Sequence, residues 1–331
     1  MKKLKLLTIG VSIIIGATVF IGCGGDKKEE GSNSKGEQTE KFIYDYNDGK
    51  ENLEVKVTEP PKRAVTLSQF MTEMLLSLGL QDRMVATALL DNPILPQYKE
   101  AYEKIPVLKI TGGHSISKEA FMALNPDFVS GWEMSISNET TGTAKELIAE
   151  GIKPFVAESL KGNATIDTVY EDYKTLGKIF AVEDTALEVI NNMKEDVKEV
   201  EEKLLKEKKD KVDVMVYDSG EKEAMVVGGG LPNNLITLAG GKNIYGELKN
   251  TYETVSFESI VEKDPEVIIV TEFLAGEKAE KKIQFLKSNQ ALKDVKAVKN
   301  NRFYVIELAD LSPGIRNSKA IKEINEMLYG K

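Results

Sequence analysis

Apolar and polar residues alternate in two short runs near the start of the globular part of the chain. Ile43-Tyr44-Asp45-Tyr46 and Leu53-Glu54-Val55-Lys56-Val57 flank Asn47-Asp48-Gly49-Lys50. A period of two on both sides of an Asp-Gly pair predicts an antiparallel hairpin. Pro60-Pro61 ends it. Arg63-Ala64-Val65-Thr66-Leu67-Ser68 predicts a buried strand, and Met71, Met74, Leu75 and Leu78 then recur at helical spacing up to Gly79. Short apolar strands over 84–88, 128–130 and 154–157 follow, with helices over 119–124 and 143–149 between them, the pattern of parallel βα units. A second series of strands begins near Val212, over 214–217, 225–227, 267–271 and 303–306.

Residues 165–211 carry no strand signal. Ala186, Val189, Met193, Val197, Val200 and Leu204 recur every three or four residues among charges, which predicts a long amphipathic helix joining two α/β lobes. The charges from Lys203 to Lys211 form its solvated face. An internal echo supports two related lobes. Ser117-Lys118-Glu119 precedes Pro126-Asp127-Phe128-Val129 by six residues, and Ser256-Phe257-Glu258 precedes Pro265-Glu266-Val267-Ile268 by the same distance. In each unit the serine can cap a helix, the proline stands past its end and an apolar strand follows.

The first residues change the picture of where this fold works. Lys2, Lys3 and Lys5 precede an apolar stretch from Leu6 to Ile21, and Gly22-Cys23 follows; this predicts a signal peptide over 1–22. The stretch is shorter than the ~20 residues of a spanning helix. Cys23, the only cysteine, looks like the lipidated cysteine of a bacterial lipoprotein and leaves no partner for an intramolecular disulfide. Residues 23–41 hold no large apolar residue and predict a lipidated flexible tether. The organisation expected beyond it is an N-terminal lobe over 42–164, a connecting helical segment over 165–211 and a C-terminal lobe over 212–331. The formal charge is -9, and loss of the three signal lysines takes it to -12. With no aromatic-interleaved basic patch, nucleic acid is not an expected partner.

Several stretches, in order along the chain, resemble the substrate-binding proteins of ABC importers for iron-siderophore, haem and cobalamin. They are Pro61-Lys62-Arg63-Ala64-Val65, Glu73 to Gly79, both echo units, Leu235 to Ile244, and Ala297 to Phe303. The resemblance implies two Rossmann-like α/β lobes joined by a long rigid helix. It implies an extracytoplasmic, membrane-anchored solute receptor, not an enzyme, that delivers an iron(III) chelate of siderophore type to its permease. A monomer is expected, with no cofactor. Glu119 and Glu258, one in each echo unit, resemble the pair that docks on permease arginines; each also suits the first turn of a helix through its dipole.

The ligand of such a fold should lie over the carboxyl ends of the strands. That nominates Ser68, Gln69, Asp91, His114 and Trp132 from the first lobe, and Tyr217, Asp218, Tyr252, Asp310 and Arg316 from the second. Trp132, the only tryptophan, can stack on a ligand or act as a core or rim aromatic. Arg316 offers a fork for carboxylate or catecholate oxygens, or a structural ion pair. His114, the lone histidine, can donate to the ligand, coordinate iron or haem, or simply occupy its loop.

Haem, with Tyr217, Tyr252 or His114 as axial ligand, is the alternative cargo, and cobalamin the next. Bare Mn²⁺ or Zn²⁺ fits poorly with a single histidine. An extracellular hydrolase is the remote alternative: Gly-x-Ser-x-Gly and His-Glu-x-x-His are missing, and Gly228-Gly229-Gly230 lacks the Gly-Lys-Ser/Thr of a phosphate loop. An adhesin or sensor on the same fold would differ only in its partner.

Overall fold

The computed structural model describes residues 42–112 and 115–330. The expected hairpin is present as β1 (Phe42–Asn47) and β2 (Asn52–Val57), paired from Phe42↔Val57 to Asn47↔Asn52. Its turn is held by Asp48, whose carboxylate accepts from the amides of Lys50 and Glu51 at 2.8 Å each. Gly49 takes φ +83° there, a conformation glycine adopts without strain.

β3 (Ala64–Leu67), α1 (Gln69–Ser77), β4 (Met84–Thr87) and α2 (Lys99–Tyr102) follow, then a small β5–β6 ladder (Ile110–Gly112, Ser115–Ile116) and α3 (Lys118–Met122). β7 (Phe128–Gly131), α4 (Ala144–Ala149) and β8 (Lys153–Phe155) complete a four-stranded parallel sheet of order β4-β3-β7-β8. Every residue of β3 and β7 is buried, as strands covered on both faces require.

The connecting segment is two helices, not one. α5 (Ile166–Phe180) ends at Ala181, which takes φ 52°, and α6 (Glu183–Glu207) starts after Val182. The Val182 amide bonds back to the Gly177 carbonyl at 2.8 Å, closing the end of α5. Gly177 permits this corner, because a Cβ there would meet the Cβ of Ala186 at 2.9 Å. The expected apolar stripe belongs to α6. Its 25 residues span ~37 Å at 1.5 Å per residue, and they bury Ala186, Val189, Met193, Val197 and Val200.

The second series is β9 (Val212–Ser219), β10 (Ala224–Val227), α7 (Leu231–Leu238), β11 (Gly241–Asn243), β12 (Tyr252–Val255), α8 (Phe257–Lys263) and β13 (Val267–Glu272). α9 (Ala279–Ser288), α10 (Lys296–Lys299), β14 (Phe303–Glu307), α11 (Leu308–Leu311) and α12 (Asn317–Tyr329) follow. Its six-stranded sheet is mixed, unlike the parallel sheet of the first series: β9, β13 and β14 run parallel, but β10 is antiparallel to both β9 and β12. The reason is local. A short turn from Gly220 joins β9 to β10, and such a connection can only reverse the chain.

One apolar cluster runs from Ala64 and Phe128 through Tyr173, Leu176, Ile190 and Met193 to Val214, Ile269 and Ile321, so α5 and α6 tie both sheets into one core. Each sheet also has a cluster on its other face. In β9 the side chains alternate, Val214 and Val216 into the shared core, Met215 and Tyr217 into the second cluster.

Candidate functional site

Trp132 stands directly after β7, where Gly131 lets β3 pass closely; a Cβ on Gly131 would lie 2.8 Å from the Leu67 carbonyl oxygen. The indole packs edge-on against Phe70, ring centroids 4.9 Å apart. Tyr252, the first residue of β12, reaches the same space from the second sheet. Both residues, with Ser312, line two adjoining cavities of about 110 and 260 Å³. Leu160, Leu231, Pro232, Thr251 and Pro313 add to the smaller, and Asp218, Met225, Phe273 and Leu308 to the larger.

The polar groups in this cleft are oriented by neighbours. The Asp218 carboxylate accepts from Thr271 Oγ1 at 2.6 Å and from Ser219 Oγ at 2.9 Å. Burial first, then the charges of Asp218 and Asp91, drive the Tyr252 phenol well above its ordinary pKa, so it stays protonated at any physiological pH. What the cleft offers is an aromatic pair, aliphatic walls, hydroxyls and one fixed carboxylate.

Of the residues nominated from sequence, Trp132, Asp218 and Tyr252 come together here. Asp91 belongs to a strap beside it, where its carbonyl accepts from the Leu274 amide at 2.7 Å. Others are drawn inward. Ser68 is fully buried as the N-cap of α1, its hydroxyl accepting from the Met71 amide. Gln69 is buried too; its carbonyl oxygen accepts from the amides of Asp91 at 2.9 Å and Asn92 at 2.6 Å. Tyr217 is 2 % exposed and donates to the Gly220 carbonyl at 2.8 Å, because the alternation of β9 turns it away from the shared core. His114 and Cys23 lie outside the described residues, as do the signal peptide and tether.

Arg316 stands in a buried ion-pair cluster. It is 5 % exposed, and its Nε and Nη2 meet the Glu73 carboxylate at 2.6 and 2.8 Å. Its Nη1 meets Glu307 at 2.8 Å and Asp310 at 3.1 Å, and Nη2 also donates to the Pro93 carbonyl. Asp310 is therefore an ion-pair partner of Arg316, half-buried, and burial raises its pKa. Asn92 completes the strap: its amide donates to the Glu272 carbonyl at 2.9 Å, and its oxygen accepts from the Ala309 amide at 3.0 Å.

Glu73 and Asn92 escaped sequence reasoning because nothing local marks a buried partner so distant in the chain. Phe273 had a usable signal. It follows the strand of the second echo unit as Trp132 follows that of the first. A cavity larger than these two, about 460 Å³, lies elsewhere, between β1 and the turn at 156–161, with Tyr44, Tyr46, Glu133, Glu158 and Asp172 in its wall.

A family model described as periplasmic binding protein matches residues 65–308. The chain belongs to that family. Two Bacillus subtilis (strain 168) relatives match this periplasmic binding protein from end to end. The ABC transporter substrate-binding lipoprotein YvrC is 25% identical over 336 residues, 98% of each chain. The petrobactin-binding protein YclQ is 24% identical over 349 residues, 99% of each. A solved periplasmic binding protein from Veillonella parvula superposes with a TM-score of 0.82 at 29% identity, over 88% of this chain and 99% of that one. The family and the two-sheet α/β fold expected from the ordered stretches are both shown.

Proposed function

We propose that this periplasmic binding protein is the extracytoplasmic, lipid-anchored substrate-binding component of an ABC importer, and that its cargo is a ferric siderophore-type complex. The observation that carries the reading is the cleft in which Trp132, from the end of β7, and Tyr252, from the start of β12, line the same cavities. Aromatic walls with a few fixed polar groups suit a bulky chelate that hides its metal behind an organic shell. At about 260 Å³ the larger cavity seats one face of such a complex and leaves the rest toward solvent. The match to a petrobactin-binding relative supports the siderophore class, and the match to a substrate-binding lipoprotein supports both the importer and an anchor at Cys23.

Haem is the weaker cargo. The Tyr217 phenol is buried and already donates to Gly220, while Tyr252 is held protonated, so neither is prepared as an iron ligand.

Delivery is assigned to Glu119 and Glu258. Both are exposed in the first turns of α3 and α8, behind Ser117 and Ser256, which cap those helices. The Ser117 hydroxyl donates to Glu119 at 2.6 Å and lowers its pKa, which keeps the carboxylate charged for an arginine partner. An exposed pair contributes only ~0–1 kcal/mol, so two act on register and encounter more than on grip.

One experiment tests both halves. Quenching of Trp132 by a ferric siderophore should be unchanged in the Glu119→Ala, Glu258→Ala double variant, while cellular uptake of the same iron complex is lost. No quenching by any iron chelate removes the cargo; full uptake by the double variant removes the docking pair.

A further inference from the structure

The cleft also speaks about the charge of its cargo, an inference that rests on the receptor reading above. Among the described residues, the walls of the two adjoining cavities hold one charged side chain, Asp218, and neither lysine nor arginine. Two cations close to these walls in the chain are engaged elsewhere. Arg316, four residues beyond the wall residue Ser312, is buried against Glu73, Glu307 and Asp310, three carboxylates to one guanidinium. Lys282 is 2 % exposed and stands over the Phe273 ring, 5.3 Å from its centroid, with its ammonium donating to the Thr271 carbonyl at 2.8 Å. It offsets part of the Asp218 field from behind that ring, but it offers the cavity no donor. Burial pushes its own pKa down, and the Tyr252 phenol feels the charges of both Asp218 and Asp91.

We propose that this cleft accepts metal complexes whose outer shell is neutral or cationic and discriminates against polyanionic chelates. A trianionic ligand would lose its hydration against aromatic and aliphatic walls with no cation to replace it. It would also face a carboxylate that Thr271 and Ser219 hold in place. Like charge in a partly desolvated site is an effective means of rejecting a wrong partner. A neutral or cationic complex meets neither obstacle. Its organic face can lie on Trp132 and Tyr252, and a cationic one gains from Asp218.

The test is a charge series measured by calorimetry on the full-length chain in detergent: cyanocobalamin and a cyclic ferric trihydroxamate, both neutral, a cationic linear ferric trihydroxamate, and a trianionic ferric tricatecholate. The expected result is that the best neutral or cationic probe binds at least ~100-fold tighter than the tricatecholate. Asp218→Asn should narrow that gap about tenfold, mainly by improving the anionic probe. A tricatecholate that binds as tightly as the others overturns the charge rule and leaves the receptor reading standing. A gap that Asp218→Asn does not change overturns the role of that carboxylate. Failure of every probe, whatever its charge, overturns the receptor reading and this inference with it.

Discussion

Asp172 is a carboxylate set into apolar surroundings at 2 % exposure, accepting from the amides of Glu158 and Ser159 and from the Ser159 hydroxyl. Burial outweighs those bonds and raises its pKa from 3.8 to about 6. A raised acid favours the native state while it holds its proton. Its contribution is complete below pH ~4, falls as pH rises through about 6, and is flat above. The difference in urea stability between the native chain and Asp172→Asn should therefore change by up to ~3 kcal/mol between pH 4 and 7, with the native chain losing more on the way up. Parallel pH curves for the two proteins would rule out this carboxylate as the source. The sequence shows Asp172 only as one acid among 53 Asp and Glu. Its burial follows from where α5 docks, which no local pattern records.

At the scale of elements, the echo was legible almost to the atom. Ser117 accepts from the Ala120 amide and Ser256 from the Ser259 amide, both at 3.2 Å. Each helix is followed by a residue with positive φ, Asn125 at 46° and Asp264 at 45°, just before the proline. Each proline is followed by an acid that accepts from the backbone at the start of the neighbouring strand: Asp127 from Lys62 and Arg63, just before β3, and Glu266 from Asp213, the second residue of β9. The caps and the positive-φ stops are short-range signals, so a sequence displays them, whereas the two acids bond to residues 53 to 65 positions away. Ser117→Ala and Ser256→Ala should each cost ~1 kcal/mol in denaturant unfolding, and the two costs should add because the sites share no partner. A double variant as stable as the parent would show that the caps are idle. The break between α5 and α6 was not legible, since Ala181 carries the left-handed φ where glycine would have announced it.

At the scale of the molecule, the first half is fastened to the second by a polar strap as well as by the shared core. Gln69 holds the 91–93 loop, Asn92 bridges to Glu272 and Ala309, and Arg316 closes on Glu73 across 243 residues. This fastening sets where Trp132 and Tyr252 stand relative to each other. Arg316→Ala leaves Glu73 buried and unpaired and should cost ~3–5 kcal/mol in urea unfolding. Arg316→Lys should recover little, because an ammonium cannot hold both carboxylate oxygens in one plane. Wild-type stability with lost cargo binding in Arg316→Ala would return the residue to the ligand.

What the sequence determined by itself were the hairpin, the echo and the fold class, all written in spacing, caps and apolar runs that act over a few residues. Tertiary structure decided which candidates face the cleft. Strand parity turned Tyr217 into a core, helix capping took Ser68, and ion pairing took Arg316, while Phe273 and Leu308 were brought to the wall beside Trp132. Local patterns specify that a side chain is buried or turned outward. Whether it meets ligand or protein depends on what the rest of the chain packs against it.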